Sequence, residues 1–138
     1  MTLLEKQKET IDTFSEYDDW MDRYQYLVDL GGDLQPLDES EKNENTLIYG
    51  CQSQVWIVCE ERDGRVYYRA DSDAIIVKGI VAMLIGVFSG CTAKEVAEAD
   101  FSFIDRIGLR EHLSPTRSNG LLSMLKQIKA YAQALLEK

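Results

Sequence analysis

The 138-residue chain is 45% apolar and 28% charged, the proportions of a folded globular protein rather than a disordered one. Its length suits one domain burying roughly two-thirds of the surface its unfolded chain exposes, so a single unit over residues 1–138 is expected. The net charge of −9 is gathered in residues 1–46, which hold 13 acids against four bases; with no basic stripe elsewhere, this argues against a nucleic-acid partner.

The opening MTLLEKQKET lacks the basic and apolar regions of a secretory signal. The longest apolar run, residues 74–88, contains Lys78 and is shorter than the ~20 residues of a membrane-spanning helix. A cytoplasmic protein with no membrane partner is therefore expected. In that compartment three cysteines, an odd number, read as free thiols.

Thr2 with Glu5 has capping-box spacing and opens a first helix, with Leu3, Leu4, Ile11 and Phe14 on its apolar face. A second helix is expected from Ser15 or Glu16, carried by Trp20, Tyr24, Leu27, Val28 and Leu30 and stopped by Gly31-Gly32. Residues 34–45, LQPLDESEKNEN, read as a connecting loop. From Thr46 the hydrophobic period becomes two. Leu47 to Tyr49 reads as a short strand, Gln54 to Glu61 as a longer one, and Arg65 to Ala70 as its hairpin partner across Arg62-Asp63-Gly64. Alternation puts Val55, Ile57 and Cys59 on one face, which makes Cys59 a core thiol.

Ser72 or Asp73 is the expected cap of the next helix, AIIVKGIVAMLIGVF, whose apolar residues surround its circumference and place it centrally. Gly79 and Gly86 read as points of close approach to neighbouring elements. Thr92 with Glu95 marks a short helix to Ala99, and Asp100 one to Gly108. Ser114-Pro115 opens a long terminal helix that buries Leu121, Leu125, Ile128, Ala132 and Leu135. The fold class that follows is α+β, with a small three-stranded antiparallel sheet packed on one face against helices.

The chemistry points to Cys51, in the stretch YGCQSQVW. A thiol on a loop can present its sulfur to another protein; an incidental loop thiol is the plain alternative. Gly50 permits a sharp turn there, and Gln52, Ser53 and Gln54 offer hydrogen bonds without charge. Three cysteines and His112 supply four potential metal ligands, but their separations of 8, 32 and 21 residues lack the close pairs of zinc and iron-sulfur sites. A hydrolase built on Cys51 and His112 is another reading, resting on one residue of each kind. Arg117 sits in the first turn of the last helix, where the helix dipole disfavours a cation. It is read either as a salt-bridge partner of Asp71 or Asp73 or as a donor near the thiol loop. Tyr17, Trp20, Tyr24 and Tyr26 read as packing or surface residues.

Three blocks, GCQSQVW at 50–56, ADSDAIIVKGIVAML at 70–84 and LREHLSPTRSNGLLSML at 109–125, resemble in order and spacing the SufE-type sulfur acceptors of iron-sulfur cluster assembly. The resemblance implies a SufE/IscU-like α+β fold. It also implies that Cys51 accepts sulfane sulfur from the persulfide of a cysteine desulfurase of SufS type. Gly50, Gln52, Ser53, Gln54, Asp73 and Arg117 are the expected supporting residues. On this reading the chain is an accessory protein rather than an enzyme and binds no cofactor of its own; the pyridoxal phosphate belongs to the desulfurase. A scaffold of SufB type would receive the sulfur, although a second desulfurase system also uses such proteins. The alternative function is an iron-sulfur or zinc-binding scaffold that uses Cys51 with other ligands. Thiol exchange moves sulfur only when the outer sulfur of the persulfide is attacked, which calls for an oriented thiol. Cys51 is expected to fold toward an apolar pocket in the free protein and to swing out on docking.

Overall fold

The computed structural model describes residues 2–51 and 53–137. Helix α1 (Leu3–Ser15) opens through the expected capping box: the Thr2 hydroxyl accepts from the Glu5 amide, and the Glu5 carboxylate accepts from the Thr2 amide. Helix α2 (Trp20–Gly32) begins later than Ser15 or Glu16, because α1 takes Ser15 into its last turn and Asp19 provides the cap. The Asp19 carboxylate accepts from the Asp22 amide at 2.9 Å. The glycine pair does not stop α2 but lies inside its last turn, with Asp33 at the C-cap.

Gly31 serves instead to bring α2 against α3 (Ile75–Phe88). A Cβ on Gly31 would lie 2.9 Å from the Gly79 nitrogen, and one on Gly79 would lie 2.1 Å from the Leu27 carbonyl oxygen. The two helices cross backbone to backbone, as expected for Gly79. Gly86 departs from expectation, since it faces open space.

Strands β1 (Val55–Arg62) and β2 (Arg65–Ser72) form the expected hairpin, with Asp63 and Gly64 both at positive φ in the turn. Ile57 opposes Ala70 and Cys59 opposes Tyr68. These residues, with Val55 and Val66, form the face turned to the core. Leu47 to Tyr49 is not a strand. A turn from Asn43 to Thr46 delivers the chain and Gly50 turns it away, which leaves room for a single bridge between Leu47 and Trp56. The third strand is β3 (Cys91–Thr92), antiparallel to β2 at Arg65 and Val66, giving the order β1-β2-β3.

Helices α3 and α6 (Pro115–Leu136) pack on the core face, α3 mainly against β2 and α6 against β1. In α3, Ile80, Val81, Leu84 and Phe88 are all buried. At about 1.5–3 kcal/mol for each large aliphatic removed from water, this helix is the main hydrophobic anchor. Helix α4 (Ala93–Ala97) opens with the Thr92/Glu95 capping box, and α5 (Ser102–Ile107) ends at Gly108 in the left-handed region. Ser114 caps α6 by accepting from the Arg117 amide, and Leu121, Leu125, Ile128 and Ala132 enter the core while Leu135 is half-buried.

Residues 34–45 hold a short 3-10 turn, Glu39–Glu41, and strap the end of the sheet. The buried Asp71 carboxylate accepts from the Leu37 amide at 3.3 Å and pairs with Lys42 at 3.3 Å and Lys78 at 3.5 Å. Lys42 also lies 5.3 Å above the Trp56 ring. Among the described residues, no helix is long and apolar enough to cross a membrane.

Candidate functional site

The segment carrying Cys51 is anchored at both ends. The Ile48 amide donates to the Val55 carbonyl at 2.8 Å, and the Ile57 amide donates to the Thr46 carbonyl at 3.0 Å. Between these bonds the chain leaves the sheet edge and lies against α6. Gly50 has φ +98°, so the turn favours glycine, and a Cβ there would meet the Ser123 hydroxyl at 2.5 Å and push it aside. Gln52 lies outside the described residues.

Cys51 is half-buried, with its Sγ 3.6 Å from the Gly120 carbonyl oxygen. It lines a cavity of about 80 Å³ together with Ser53, Val77, Ile80, Thr116, Arg117, Gly120 and Met124. Val77, Ile80 and Met124 make the floor apolar. Arg117 is exposed and its side chain forms part of the lining. Burial pushes the Cys51 thiol up from its ordinary pKa and so favours the protonated form.

Neither Ser72 nor Asp73 caps α3 in the expected way; Ala74 occupies the cap position without a side-chain bond. The Asp73 carboxylate turns back to accept from the Gln54 amide at 3.0 Å, and the Ser72 hydroxyl donates to the Gln54 carbonyl at 2.8 Å. Asp73 thus fastens the exit of the thiol loop. Of the two readings of Arg117, the salt bridge gives way: Lys42 and Lys78 take Asp71, Gln54 takes Asp73, and Arg117 reaches the cavity.

The remaining thiols have different surroundings. Cys91 is fully buried, with Sγ 3.6 Å from the Val87 carbonyl oxygen. Cys59 is half-buried on the strand, and burial pushes its thiol up to about 11 against the pull of the neighbouring Tyr68 hydroxyl. His112 stacks on Trp20 with ring centroids 3.8 Å apart, and its Nδ1 lies 3.0 Å from the Gly108 carbonyl. The Tyr24 hydroxyl donates to the His112 carbonyl, so the chain's only histidine is part of a clamp between α2 and the 3-10 turn that precedes α6. Among the described residues, no group of three or more His, Cys, Asp and Glu is placed to hold a metal ion.

Sequence reading alone missed Val77, Ile80, Thr116, Gly120, Ser123 and Met124. A signal for part of the set exists: Thr116, Gly120 and Met124 recur every four residues, which puts them on one face of α6. Each of the three sequence blocks supplies lining residues. The first brings Cys51 and Ser53, the second Val77 and Ile80, and the third Thr116, Arg117, Gly120 and Met124.

The chain is similar to known proteins over most of its length. The family model described as SufE, Fe-S metabolism associated domain, matches residues 8–132. A SufE-like protein of Rhizobium meliloti is 40% identical over 131 residues, covering 91% of this chain and 94% of its own. A SufE-like protein of Rhizobium etli is 42% identical over 128 residues, covering 89% and 86%. In fold, the chain is similar to a hypothetical protein of Thermus thermophilus solved in solution, with TM-score 0.80 at 22% identity over 96% of this chain and 97% of that one. It is also similar to the N-terminal part of a nitrogen-fixing NifU-like protein from Brucella abortus, with TM-score 0.53 at 15% identity, covering 82% and 93%.

Proposed function

The chain belongs to the SufE family of Fe-S metabolism proteins, and we propose that it is a sulfur acceptor, taking sulfane sulfur from a cysteine desulfurase as a persulfide on Cys51. It then passes that sulfur to an iron-sulfur cluster scaffold. The observation that carries this reading is the convergence of three separate sequence blocks around one thiol, with an apolar floor and one cation at the lining. The partners are a desulfurase of SufS type and a scaffold of SufB type. The chain works as an accessory protein in the reducing cytoplasm, where its cysteines stay free.

In the acceptance step the Cys51 sulfur attacks the outer sulfur of the partner's persulfide. The bond between the partner's two sulfurs breaks, and the inner sulfur leaves with the bonding pair. The proton that Cys51 gives up ends on that departing thiolate, and Cys51 carries S–SH. No net oxidation occurs. The attacking species is the thiolate, which burial disfavours, so the loop has to move outward as the partner docks. On that outward path Arg117, a residue of the cavity lining, is the cation that favours the thiolate. Afterwards the cavity of about 80 Å³ has room for the added sulfur, since a single water needs only about 10–15 Å³ by a comparable measure.

The test is mass spectrometry of the intact protein and its peptides after incubation with a cysteine desulfurase and cysteine. The expected result is a gain of one sulfur atom, removed by reductant and mapped to the Cys51 peptide. A gain spread evenly over the three cysteine peptides, or none, would reject the reading.

A further inference from the structure

Gly120 stands in the second turn of a 22-residue helix, where helix propensity gives a glycine no advantage. Its neighbourhood supplies a reason. A Cβ at this position would lie 3.1 Å from Cys51 Sγ and 3.7 Å from both Cys51 Cα and Cβ, and these are the three nearest atoms it would meet. The missing side chain therefore adjoins the thiol rather than another helix. One turn along the same face, Ser123 takes the Gly50 backbone in the same close manner. Residues 50 and 51 rest on a seat made by Gly120 and Ser123.

The seat has a chemical preference. Cys51 points its sulfur at the Gly120 carbonyl oxygen, which accepts from S–H and repels S⁻. Arg117, on the same helix as Gly120, is the charged residue of the lining, and burial alone accounts for the raised thiol; the lining residues contributed by α3 and by the loop itself are uncharged. Burial of the sulfur works in the same direction as the carbonyl.

We propose that Gly120 is a positioning residue for sulfur acceptance: the space left by its absent side chain holds Cys51 inward as a neutral thiol, and filling that space releases it. The inference deepens the sulfur-acceptor reading and rests on it only where a desulfurase enters the test. In the free protein the reacting sulfur is stored. A docking partner has to unseat it, so part of the docking free energy goes into that movement and the apparent affinity is lower than the surfaces alone would give.

The experiment compares wild type, Gly120→Ala and Gly86→Ala, the last being the same change at a helix glycine that faces open space. Each is alkylated with iodoacetamide over a pH series, and each cysteine is quantified by peptide mass spectrometry. In Gly120→Ala the midpoint at Cys51 falls, and below that midpoint its alkylation rises on the order of tenfold for each unit of pKa lost. Cys91 stays protected and Gly86→Ala behaves as wild type. An unchanged Cys51 profile with Cys91 still protected overturns the proposal. A parallel rise at Cys51, Cys59 and Cys91 also overturns it, because residue 120 would then be holding the fold rather than the thiol. These measurements use no desulfurase, so their failure leaves the sulfur-acceptor reading standing. In a second arm, Gly120→Ala half-saturates a cysteine desulfurase at a severalfold lower concentration. An unchanged half-saturation beside a raised alkylation rate would show that unseating the thiol is not part of acceptance.

Discussion

Gln54 donates its backbone amide to the Asp73 carboxylate at 3.0 Å, and the Asp73 amide returns a bond to the Gln54 carbonyl at 3.2 Å. This reciprocal pair joins the exit of the thiol loop to the start of α3, whose Val77 and Ile80 form part of the cavity floor. Asp73→Ala removes one side-chain bond at an exposed position and should cost about 0.5–1.5 kcal/mol in denaturant unfolding. Amide exchange at Gln54 should speed up by more than this global loss predicts, since the bond is local to the loop. Asp73→Asn keeps an acceptor oxygen and should retain most of the protection. Equal exchange in wild type and Asp73→Ala would show that the pair does not hold the loop.

The three thiols should separate by role. Cys51→Ser is expected to abolish sulfur uptake and stimulation of a desulfurase with little effect on stability, because the residue is half-buried on a loop. Cys59→Ser and Cys91→Ser should retain both activities. Cys91→Ser, which places a hydroxyl in the fully buried core beside the Val87 carbonyl, should lower unfolding stability by about 1 kcal/mol. Equal loss of sulfur uptake in all three would favour a shared metal site over a single acceptor.

Where local chemistry decides the structure, the residues could be read in advance. The Thr2/Glu5 and Thr92/Glu95 boxes, the Asp63-Gly64 turn, the apolar circumference of α3 and the Ser114-Pro115 start of α6 need only neighbours within a few positions. What depends on distant partners was not legible. Strand β3 has two residues and exists because Arg65 and Val66 offer it a sheet edge. Leu47 to Tyr49 has strand-like residues, but the turns on either side leave it one bridge. Asp71, read as a possible partner of Arg117, is a buried anion for two lysines, one on the 34–45 strap and one on α3. At the site, Cys51 stood out by its setting in the chain. Gly120 did not, since a glycine inside a helical pattern carries no mark of what lies against it.

Asp71 should make part of the protein's stability depend on acid. Burial raises its pKa, but the Ser72 and Leu37 amides and the ammonium groups of Lys42 and Lys78 outweigh that effect and hold the carboxyl below its usual range. A depressed folded value means that the contribution is fully present above the ordinary carboxylate pKa and is lost as pH falls through the folded value. At neutral pH, Asp71→Asn should cost about 2–3 kcal/mol, less than for a fully enclosed pair because both lysines are partly exposed. Denaturant unfolding of both proteins from neutral pH downward checks this. The gap between them should narrow below about pH 4. A gap that stays constant on acidification would show that the lysines gain nothing from the charge of Asp71.

The glycines of α3 give a paired test of how the helices are assembled. Gly86 is exposed with open space where a Cβ would go, so Gly86→Ala should stabilise the protein by about 0.5–1 kcal/mol through helix propensity. Gly79→Ala gains the same propensity but drives a Cβ to 2.1 Å from the Leu27 carbonyl oxygen, a backbone atom that no rotamer change can move. Relieving that contact means separating α2 from α3 and loosening buried Leu27 and Ile80. The net loss should reach about 3 kcal/mol, at or beyond the upper end for overpacked cores. Thermal and denaturant unfolding of the two variants should therefore move in opposite directions. Similar stabilisation by both would mean that α2 does not lie against α3 as closely as the Gly31–Gly79 crossing requires.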